Sequence, residues 1–417
     1  MAVKTQHLSE RLTAFPRLSR MLPEKTVETL NVPYRGWQIL SHYYVTYLLA
    51  AIVMFFIPHL MDAEWLPEAF PLSGGFGHQV LFTTGYWILL TLGLSVVVGL
   101  AGLLDLGYAA FFMIGAYVTA LMTDSGSPEQ FHIVEWPVWI SLPFAILVAM
   151  LAGFALGIPT LRLRGDYLAI VTLGFHEIVR QSVNNIDVLN GSRGIAGIPH
   201  PIIGDYDFGL DSEKYWWWLL IPAIILTVIM IRHLDNSRVG RYWSAIREDE
   251  VAASAMGVPV TKMKVLAFVI GASTSGVAGW IYAVKISYIA PGSFPLLLSI
   301  LVLCAVVIGG LGSISGAVLG AILVVTLPEI VRDVSDGREV FGFDVETGRI
   351  AVFGLLLIIG MIYRPGGLLA ARRRRTELSE GDVAEVDLIA EGAETPEHEP
   401  VKTPDSDLSD QRNKGDG

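Results

Sequence analysis

The chain has 417 residues, of which 53% are hydrophobic and only 17% are charged. Soluble globular domains carry about 25% charged residues, so this balance argues against a water-soluble enzyme. The net charge of -11 comes from the carboxyl terminus, because residues 376–417 hold 13 Asp and Glu against 3 Lys and Arg, while the rest of the chain is nearly neutral.

Apolar runs recur along the chain, each long enough to cross a hydrocarbon core of about 30 Å. The sequence therefore predicts an all-α membrane helix bundle with about ten spans. The predicted spans are 42–60, 79–101, 106–123, 137–158, 167–185, 215–232, 262–284, 294–311, 313–330 and 350–363. Glycines interrupt 79–123 and 294–330, so each of these stretches is a candidate for a half-helix that turns back.

Charge predicts the orientation of these spans, since basic residues beside spans are retained in the cytoplasm. Ten spans put both termini on one side. If that side is the cytoplasm, it receives 19 Lys and Arg, against six outside. The chain then divides into a cytoplasmic segment 1–41, a transmembrane domain 42–364 with a long cytoplasmic loop 233–261, and a cytoplasmic tail 365–417.

The tail is predicted to begin with a basic cluster and to continue as a disordered acidic segment. Residues 372–375 are all Arg and lie beside the last predicted span, where they can hold anionic lipid and fix the orientation. Beyond them the chain is rich in Glu, Asp, Pro, Ser and Thr, a composition that cannot bury enough apolar surface to fold.

Small residues recur at four-residue spacing in two predicted spans. Gly153 and Gly157 share one helix face, and Gly312, Gly316 and Gly320 share another. Such spacing lets helix backbones approach closely in lipid. We therefore expect these glycines at helix–helix contacts.

The fifth predicted span carries polar and ionisable side chains at membrane depth. They are His176, Glu177, Arg180, Asn184 and Asn185. Such groups usually face a bundle interior or a water-filled cavity, which makes them candidates for lining a translocation path. The spacing of Glu177 and Arg180 equally fits an internal ion pair that only neutralises both charges.

The long loop 233–261 contains the stretch SAIREDEVAASAMGVP. Its pattern predicts a short helix in which Ser244 is the N-cap, the first turn is acidic and Gly257 ends the helix. Ala252 and Ala253 give that helix a low-relief surface. It could lie in a groove of a cytoplasmic partner, and a solvated linker helix is the alternative.

The sequence indicates no chemistry of its own. It lacks the G-x-x-x-x-G-K-[ST] motif with which P-loop ATPases hold phosphates, so ATP hydrolysis would have to occur on a partner. The single cysteine, Cys304, excludes an internal disulfide and a Cys-based metal cluster. Ser273 and Ser275 have no assignable base for a hydrolase, and we expect no cofactor, metal or nucleic acid.

Five stretches, in this order, resemble the permease family of branched-chain amino acid importers. They are SVVVGLAGLLDLGYAAFFMIGAY (95–117), LRLRGDYLAIVTLGFHEIVR (161–180), AIREDEVAASAMGV (245–258), VVIGGLGSISGAVLGAIL (306–323) and YRPGGLL (363–369). The loop is also similar to the Glu-Ala-Ala plus Gly loop by which integral subunits of ATP-binding cassette (ABC) importers engage their ATPases. The residues predicted to couple to the ATPase are Glu248, Asp249, Glu250, Ala252, Ala253 and Gly257.

The resemblance implies an M-type integral subunit of an ABC importer in the inner membrane. Its partners would be an H-type permease, two cytoplasmic ATPase subunits and a periplasmic or lipid-anchored substrate-binding protein. It implies ATP-driven uptake of leucine, isoleucine and valine. A urea or short-chain amide importer is an alternative, and a secondary transporter in which His176 and Glu177 relay protons is a less favoured one.

Overall fold

A computed structural model describes residues 74–123, 136–160, 165–203, 206–209 and 213–335, with residue 163 and the short pieces 339–340, 343–344, 354–355, 358 and 367–369. The predicted segment 1–41, the predicted span 42–60 and the acidic tail lie outside the described residues. Most of the predicted span 350–363 lies outside them too.

The described chain is mostly helical, as expected where apolar runs must satisfy their own backbone hydrogen bonds in lipid. A π-helical turn, Ser95–Leu100, continues the first helix. The helices, numbered in chain order, are α1 (Gly74–Leu94), α2 (Ala109–Met122), α3 (Val138–Thr160), α4 (Asp166–Asn185), α5 (Glu213–Asn236), α6 (Arg238–Glu248), α7 (Glu250–Ala255), α8 (Val260–Ile286), α9 (Leu296–Gly309) and α10 (Ile314–Ser335).

Short antiparallel strand pairs join loops between the helices. The strands are β1 (Ile195–Ala196), β2 (Ile202–Ile203), β3 (Tyr206–Asp207), β4 (Tyr288–Ile289), β5 (Glu339–Val340) and β6 (Phe343–Asp344), paired as β1–β4, β2–β3 and β5–β6. In the first pair Ile195 lies opposite Ile289. That pair ties the loop after α4 to the loop after α8.

Five helical stretches among the described residues are long and apolar enough to cross a membrane. They are Gly77–Leu100, Val138–Thr160, Tyr215–Asn236, Val260–Ile286 and Pro291–Gly309. Ala109–Met122 and Ile314–Glu329 are shorter apolar helices. Helix α4 matches the predicted span 167–185. Asp166, Glu177 and Arg180 make it more polar than the helices at the other predicted spans. The chain is therefore a membrane-embedded, multi-pass helical protein.

Helix α8 lies at the centre of the bundle and packs against α1, α2 and α3. The indole of Trp280 is buried and donates to the carbonyl of Val138 at 3.1 Å and to the Ser141 hydroxyl at 2.9 Å. Gly153 and Gly157 of α3 also face α8. A Cβ on Gly153 would lie 2.8 Å from the carbonyl oxygen of Phe268, so this contact needs a residue without a side chain.

The second glycine set differs from the prediction at its first member. Gly316 and Gly320 lie on α10 against the backbone of α9. Gly312 lies before α10, in a turn where its φ is +77°, so its prediction as part of the same helix face was wrong. The physical reason is that Gly310 and Gly312 both adopt positive φ after α9 ends, which delays the start of the next helix to Ile314.

The turn between α9 and α10 collects two distant parts of the chain. A Cβ on Gly99, in the π-helical turn, would lie 2.7 Å from the amide nitrogen of Gly312. The amides of Leu368 and Leu369 donate to the carbonyls of Ile308 at 2.8 Å and Gly309 at 3.0 Å. These bonds satisfy carbonyls that the end of α9 would otherwise leave unpaired.

Candidate functional site

The long loop after α5 folds into two short helices, and their caps differ from the prediction. Ser237 caps α6, since its hydroxyl accepts from the Val239 amide at 3.1 Å. The prediction of Ser244 as the N-cap was wrong, because the helix begins earlier and the Ser244 hydroxyl donates to the carbonyl of Gly240 at 3.0 Å. The helix that Gly257 ends is a separate one, α7, and its N-cap is Asp249.

The acidic residues between α6 and α7 are mostly engaged within the loop. The Asp249 carboxylate caps α7 by accepting from the amides of Val251 at 2.7 Å and Ala252 at 3.0 Å. Glu250 pairs with Lys264 at 2.8 Å, and the Lys264 side chain is only 4% exposed. Glu248 ends α6 and is exposed. The acidity of this loop therefore serves first to build it.

The end of α7 follows the predicted pattern. Gly257 has φ +82°, and the Val258 amide donates to the carbonyl of Ala253 at 3.1 Å, a bonding pattern typical of a helix that a left-handed glycine ends. Ala253 is buried, whereas Val251 and Met256 are 58% and 85% exposed. The outward surface of α7 is thus small and apolar.

Two further contacts attach α6 to the bundle. The buried indole of Trp243 donates to the carbonyl of Met263 at 2.8 Å, at the start of α8. The Arg247 guanidinium donates to the carbonyl of Gly99 at 2.6 Å, at the end of α1. The sequence alone does not indicate these roles of Arg247 and Lys264, because basic residues near a loop carry a signal only for the orientation of the spans.

Between α1 and α2 the backbone is non-helical over residues 101–108. This stretch is largely buried, and Asp105 within it is 0% exposed. One oxygen of the Asp105 carboxylate accepts from the Gly107 amide at 2.8 Å, and the other has no hydrogen-bond partner. Non-helical backbone at membrane depth is tolerated where it is buried in protein or lines a cavity.

Three hydrogen bonds fix the end of this segment and the first residue of α2. The amide of Leu106 donates to the Thr172 hydroxyl of α4 at 2.9 Å, and the hydroxyl of Tyr108 donates to the carbonyl of Gly271 of α8 at 2.9 Å. The amide of Ala109 donates to the Ser299 hydroxyl of α9 at 2.9 Å. The segment and the start of α2 thus contact α4, α8 and α9.

The polar residues of α4 divide between two faces. His176 is fully buried on the face that carries Thr172, and neither of its ring nitrogens has a hydrogen-bond partner. Glu177 and Arg180 lie on the outward face, where the guanidinium donates to the two carboxylate oxygens at 2.9 and 2.6 Å. Their side chains are 50% and 36% exposed.

The two asparagines lie near the far end of α4. The Asn184 side chain accepts from the Ser192 hydroxyl at 2.6 Å, and Asn185 is exposed. A Cβ on Gly174 of the same helix would meet no atom within 4 Å, so open space lies beside it. The predicted path residues are therefore not one cluster, because His176 is separated from the outward polar face.

No group of three or more His, Cys, Asp or Glu side chains that could hold a metal ion occurs within the described residues. The arrangement offers an exposed, largely apolar surface on α7 and a polar outward face on α4. The non-helical segment lies between the bundle centre and the loop.

A family model described as a branched-chain amino acid transport system permease component matches residues 78–361. The permease protein LivM of the high-affinity branched-chain amino acid transport system of Salmonella typhimurium is 38% identical over 320 residues, covering 72% of this chain and 71% of the relative. LivM of Escherichia coli is 39% identical over the same shares. LivH of Salmonella typhimurium is 25% identical over 297 residues, covering 68% of this chain and 91% of the relative. No solved structure matches the chain.

Proposed function

Since the chain belongs to the family of branched-chain amino acid transport permease components, we propose that it is the M-type permease subunit of an ABC importer. It passes leucine, isoleucine and valine across the inner membrane while ATP is hydrolysed on partner subunits. The observation that carries the ATP-driven part is the helical pair α6–α7, a capped and anchored loop with an apolar outward surface.

The docking part of the proposal assigns α7 to the cytoplasmic ATPase. Glu248, Asp249, Glu250, Ala252, Ala253 and Gly257 shape this helix, and its exposed side chains make the contact. Met256 is 85% exposed and Val251 is 58% exposed, and exposed apolar surface of this kind is what a protein partner would cover. The buried Glu250–Lys264 pair anchors α7 to the bundle, so a variant of Glu250 would disturb the fold as well as docking.

An exposed position therefore gives the sharper docking test. The variant Met256→Glu places a charge where an apolar contact is proposed, and we expect it to reduce the ATPase retained on purification of the assembly. The matched variant Met256→Leu should retain the ATPase. Equal retention in both variants would exclude α7 as the docking surface.

The outward face of α4 supports a path beside a second permease. An exposed ion pair at membrane depth is costly in contact with lipid, so Glu177 and Arg180 require a polar neighbour. The chain is similar to LivH as well as LivM, and a second permease of H type is the neighbour we propose. Asn184 and Asn185 extend this face, whereas His176 would act from inside the bundle.

The number and the orientation of the spans are also part of the proposal. The proposed topology has about ten spans with both termini in the cytoplasm, and the apolar helices of the described chain, with the apolar runs 42–60 and 350–363, support it. The excess of basic residues on the inner side supports this orientation. A substrate-binding protein would then deliver the amino acid to the opposite side.

Uptake by the whole assembly tests the substrate. Membrane vesicles that contain both permeases, the ATPases and the binding protein should accumulate labelled leucine, and unlabelled isoleucine and valine should compete. Uptake of urea alone would favour the amide-importer alternative while leaving the architecture in place. Uptake by this chain without partners or ATP would instead favour a secondary transporter.

A further inference from the structure

The non-helical segment 101–108 is the least regular backbone inside the bundle. It begins where the π-helical turn that continues α1 ends, and the Ala101 amide donates to the carbonyl of Val96, five residues earlier, at 3.1 Å. π-Helical turns and broken helices occur often at functional sites, since their backbone can rearrange without unfolding a whole helix.

Arg247 connects the α6–α7 loop to the start of this segment. Its guanidinium donates to the carbonyl of Gly99 at 2.6 Å, a short bond of the charge-assisted kind. Its stem packs on Gly102, which has φ +71° and where a Cβ would lie 2.6 Å from the Arg247 Cγ. The Arg247 side chain therefore contacts the backbone just before the segment, at Gly99, and within it, at Gly102.

The same loop is held at the start of α8. Trp243 bonds to the carbonyl of Met263 at 2.8 Å, and Glu250 pairs with the buried Lys264 at 2.8 Å. A displacement of α6 and α7 must therefore act on α8 and, through Arg247, on the end of α1. Arg247 is the contact among these that reaches the segment itself.

The end of the segment and the start of α2 would transmit the displacement to α4 and α9. The amide of Leu106 is bonded to Thr172 of α4, and that of Ala109 is bonded to Ser299 of α9. Helix α4 carries Glu177 and Arg180 on its outward face. A continuous chain of hydrogen bonds and packed backbone thus runs from the loop to the proposed path.

We propose that Arg247 is a positioning residue that transmits displacement of the α6–α7 loop to the intramembrane segment 101–108 and so links ATP hydrolysis to opening of the path. This inference rests on the proposed function and names the residue through which its energy reaches the membrane. Arg247 does not contact the substrate and does not hold the ATPase.

The first experiment measures transport and ATP hydrolysis by the complete assembly with the variant Arg247→Met, which keeps an unbranched stem and removes the guanidinium. We expect the ATPase subunits to be retained at the wild-type level. Loss of the charged bond should lower leucine uptake about tenfold, with much less loss of basal ATP hydrolysis. The ATP hydrolysed for each leucine imported should therefore rise.

Two matched variants separate transmission from general damage. Arg247→Lys keeps the charge and a donor and should recover part of the uptake. Arg241→Met removes an exposed arginine from the same helix and should leave the ratio of ATP to leucine unchanged. An unchanged ratio in Arg247→Met would overturn the proposal. Loss of uptake in parallel with loss of bound ATPase would also overturn it, because Arg247 would then be a docking residue.

A labelling experiment reports on the segment directly. In a Cys304→Ser background, the variant Leu104→Cys places the only thiol at a half-buried position of the segment. We expect its labelling rate to differ about fivefold between nucleotide-free and ATP-trapped assemblies, a size typical of coupling through packed networks. The difference should shrink when Arg247→Met is added. A difference that persists undiminished would contradict the role of Arg247.

Failure of the proposed function and failure of the role of Arg247 would give different results. If the wild-type assembly neither binds ATPase subunits nor imports with ATP, the proposed function is wrong. If the wild-type assembly couples normally and Arg247→Met does too, only the role of Arg247 is wrong.

Discussion

Two ion pairs in the molecule have opposite surroundings. Glu250 and Lys264 lie in the loop region, where the helices should meet water, yet the Lys264 side chain is only 4% exposed. Glu177 and Arg180 lie in the middle of α4, a span by our proposal, and are 50% and 36% exposed. The pair beside the aqueous loop is therefore the more buried one, and the pair on the proposed span is the more exposed one. This is the reverse of what the two locations predict.

The difference indicates what each pair is for. A buried pair beside an aqueous loop anchors that loop, because losing one partner would leave an uncompensated charge in protein. An exposed pair at membrane depth would anchor little, and under the proposed function it faces the second permease. Burial, more than charge, therefore separates the anchoring residues from the contact residues.

The largest expected effect on stability comes from breaking the buried pair. The variant Lys264→Met should lower the free energy of unfolding by about 2–3 kcal/mol, because the Glu250 carboxylate loses the Lys264 ammonium while it remains largely shielded from water. Detergent-induced unfolding of the purified assembly measures this loss. The double variant with Glu250→Gln should recover most of it. An unchanged midpoint in the single variant would show that the pair does not anchor the loop.

A smaller loss is expected from filling a close helix contact. Gly153→Ala forces a Cβ to within 2.8 Å of the carbonyl oxygen of Phe268 and should cost about 2 kcal/mol by overpacking. Gly174→Ala is the matched control on the outward face, where the same replacement type meets open space. It should be neutral or gain up to about 1 kcal/mol, since Ala favours a helix more than Gly does. The same unfolding measurement compares them, and equal losses would contradict the assignment of faces.

Removing the cap of α7 should cost less again. Asp249→Ala leaves the amides of Val251 and Ala252 without their acceptor and should destabilise this helix by about 1 kcal/mol. Hydrogen exchange at these two amides measures the effect. Asp249→Asn keeps an oxygen acceptor and should exchange more slowly than Asp249→Ala. Identical exchange in the two variants would show that the cap is not needed.

The smallest effect on stability, with the clearest effect on transport, is expected at the exposed pair. Glu177→Gln should change the free energy of unfolding by less than about 0.5 kcal/mol, because exposed pairs contribute little. Leucine uptake by the whole assembly should fall if Arg180 is then left without its partner beside the path. Exchanging the two residues, as Glu177→Arg with Arg180→Glu, should recover uptake. Wild-type uptake in Glu177→Gln would remove this face from the path.

The positions of several membrane helices could be predicted accurately from the sequence, because a run of apolar residues is a local signal. The predicted spans 137–158, 167–185 and 262–284 correspond to α3, α4 and α8 with ends displaced by a few residues. Apolar length alone decides such elements in lipid. Gly312 was misplaced because four-residue spacing cannot show that the backbone turns left-handed before the helix begins.

The contacts that join the loop to the bundle could not be predicted in the same way. Arg247 and Gly99 are separated by 148 positions, and no periodicity links them. The sequence also could not separate His176 from Glu177, since adjacent residues on a helix differ by about 100° in direction and only the packing shows which one is buried. The acidic stretch pointed to the correct loop but not to the partners of its carboxylates.

The attachment of residues 367–369 to the end of α9 has a consequence for biosynthesis. A ribosome makes Ile308 and Gly309 well before Leu368 and Leu369, so two backbone carbonyls wait for their donors until the membrane domain is nearly complete. A stop codon just before residue 367 should therefore yield a product open to proteolysis. A stop codon after residue 375 should release a protein whose α9 end is already closed.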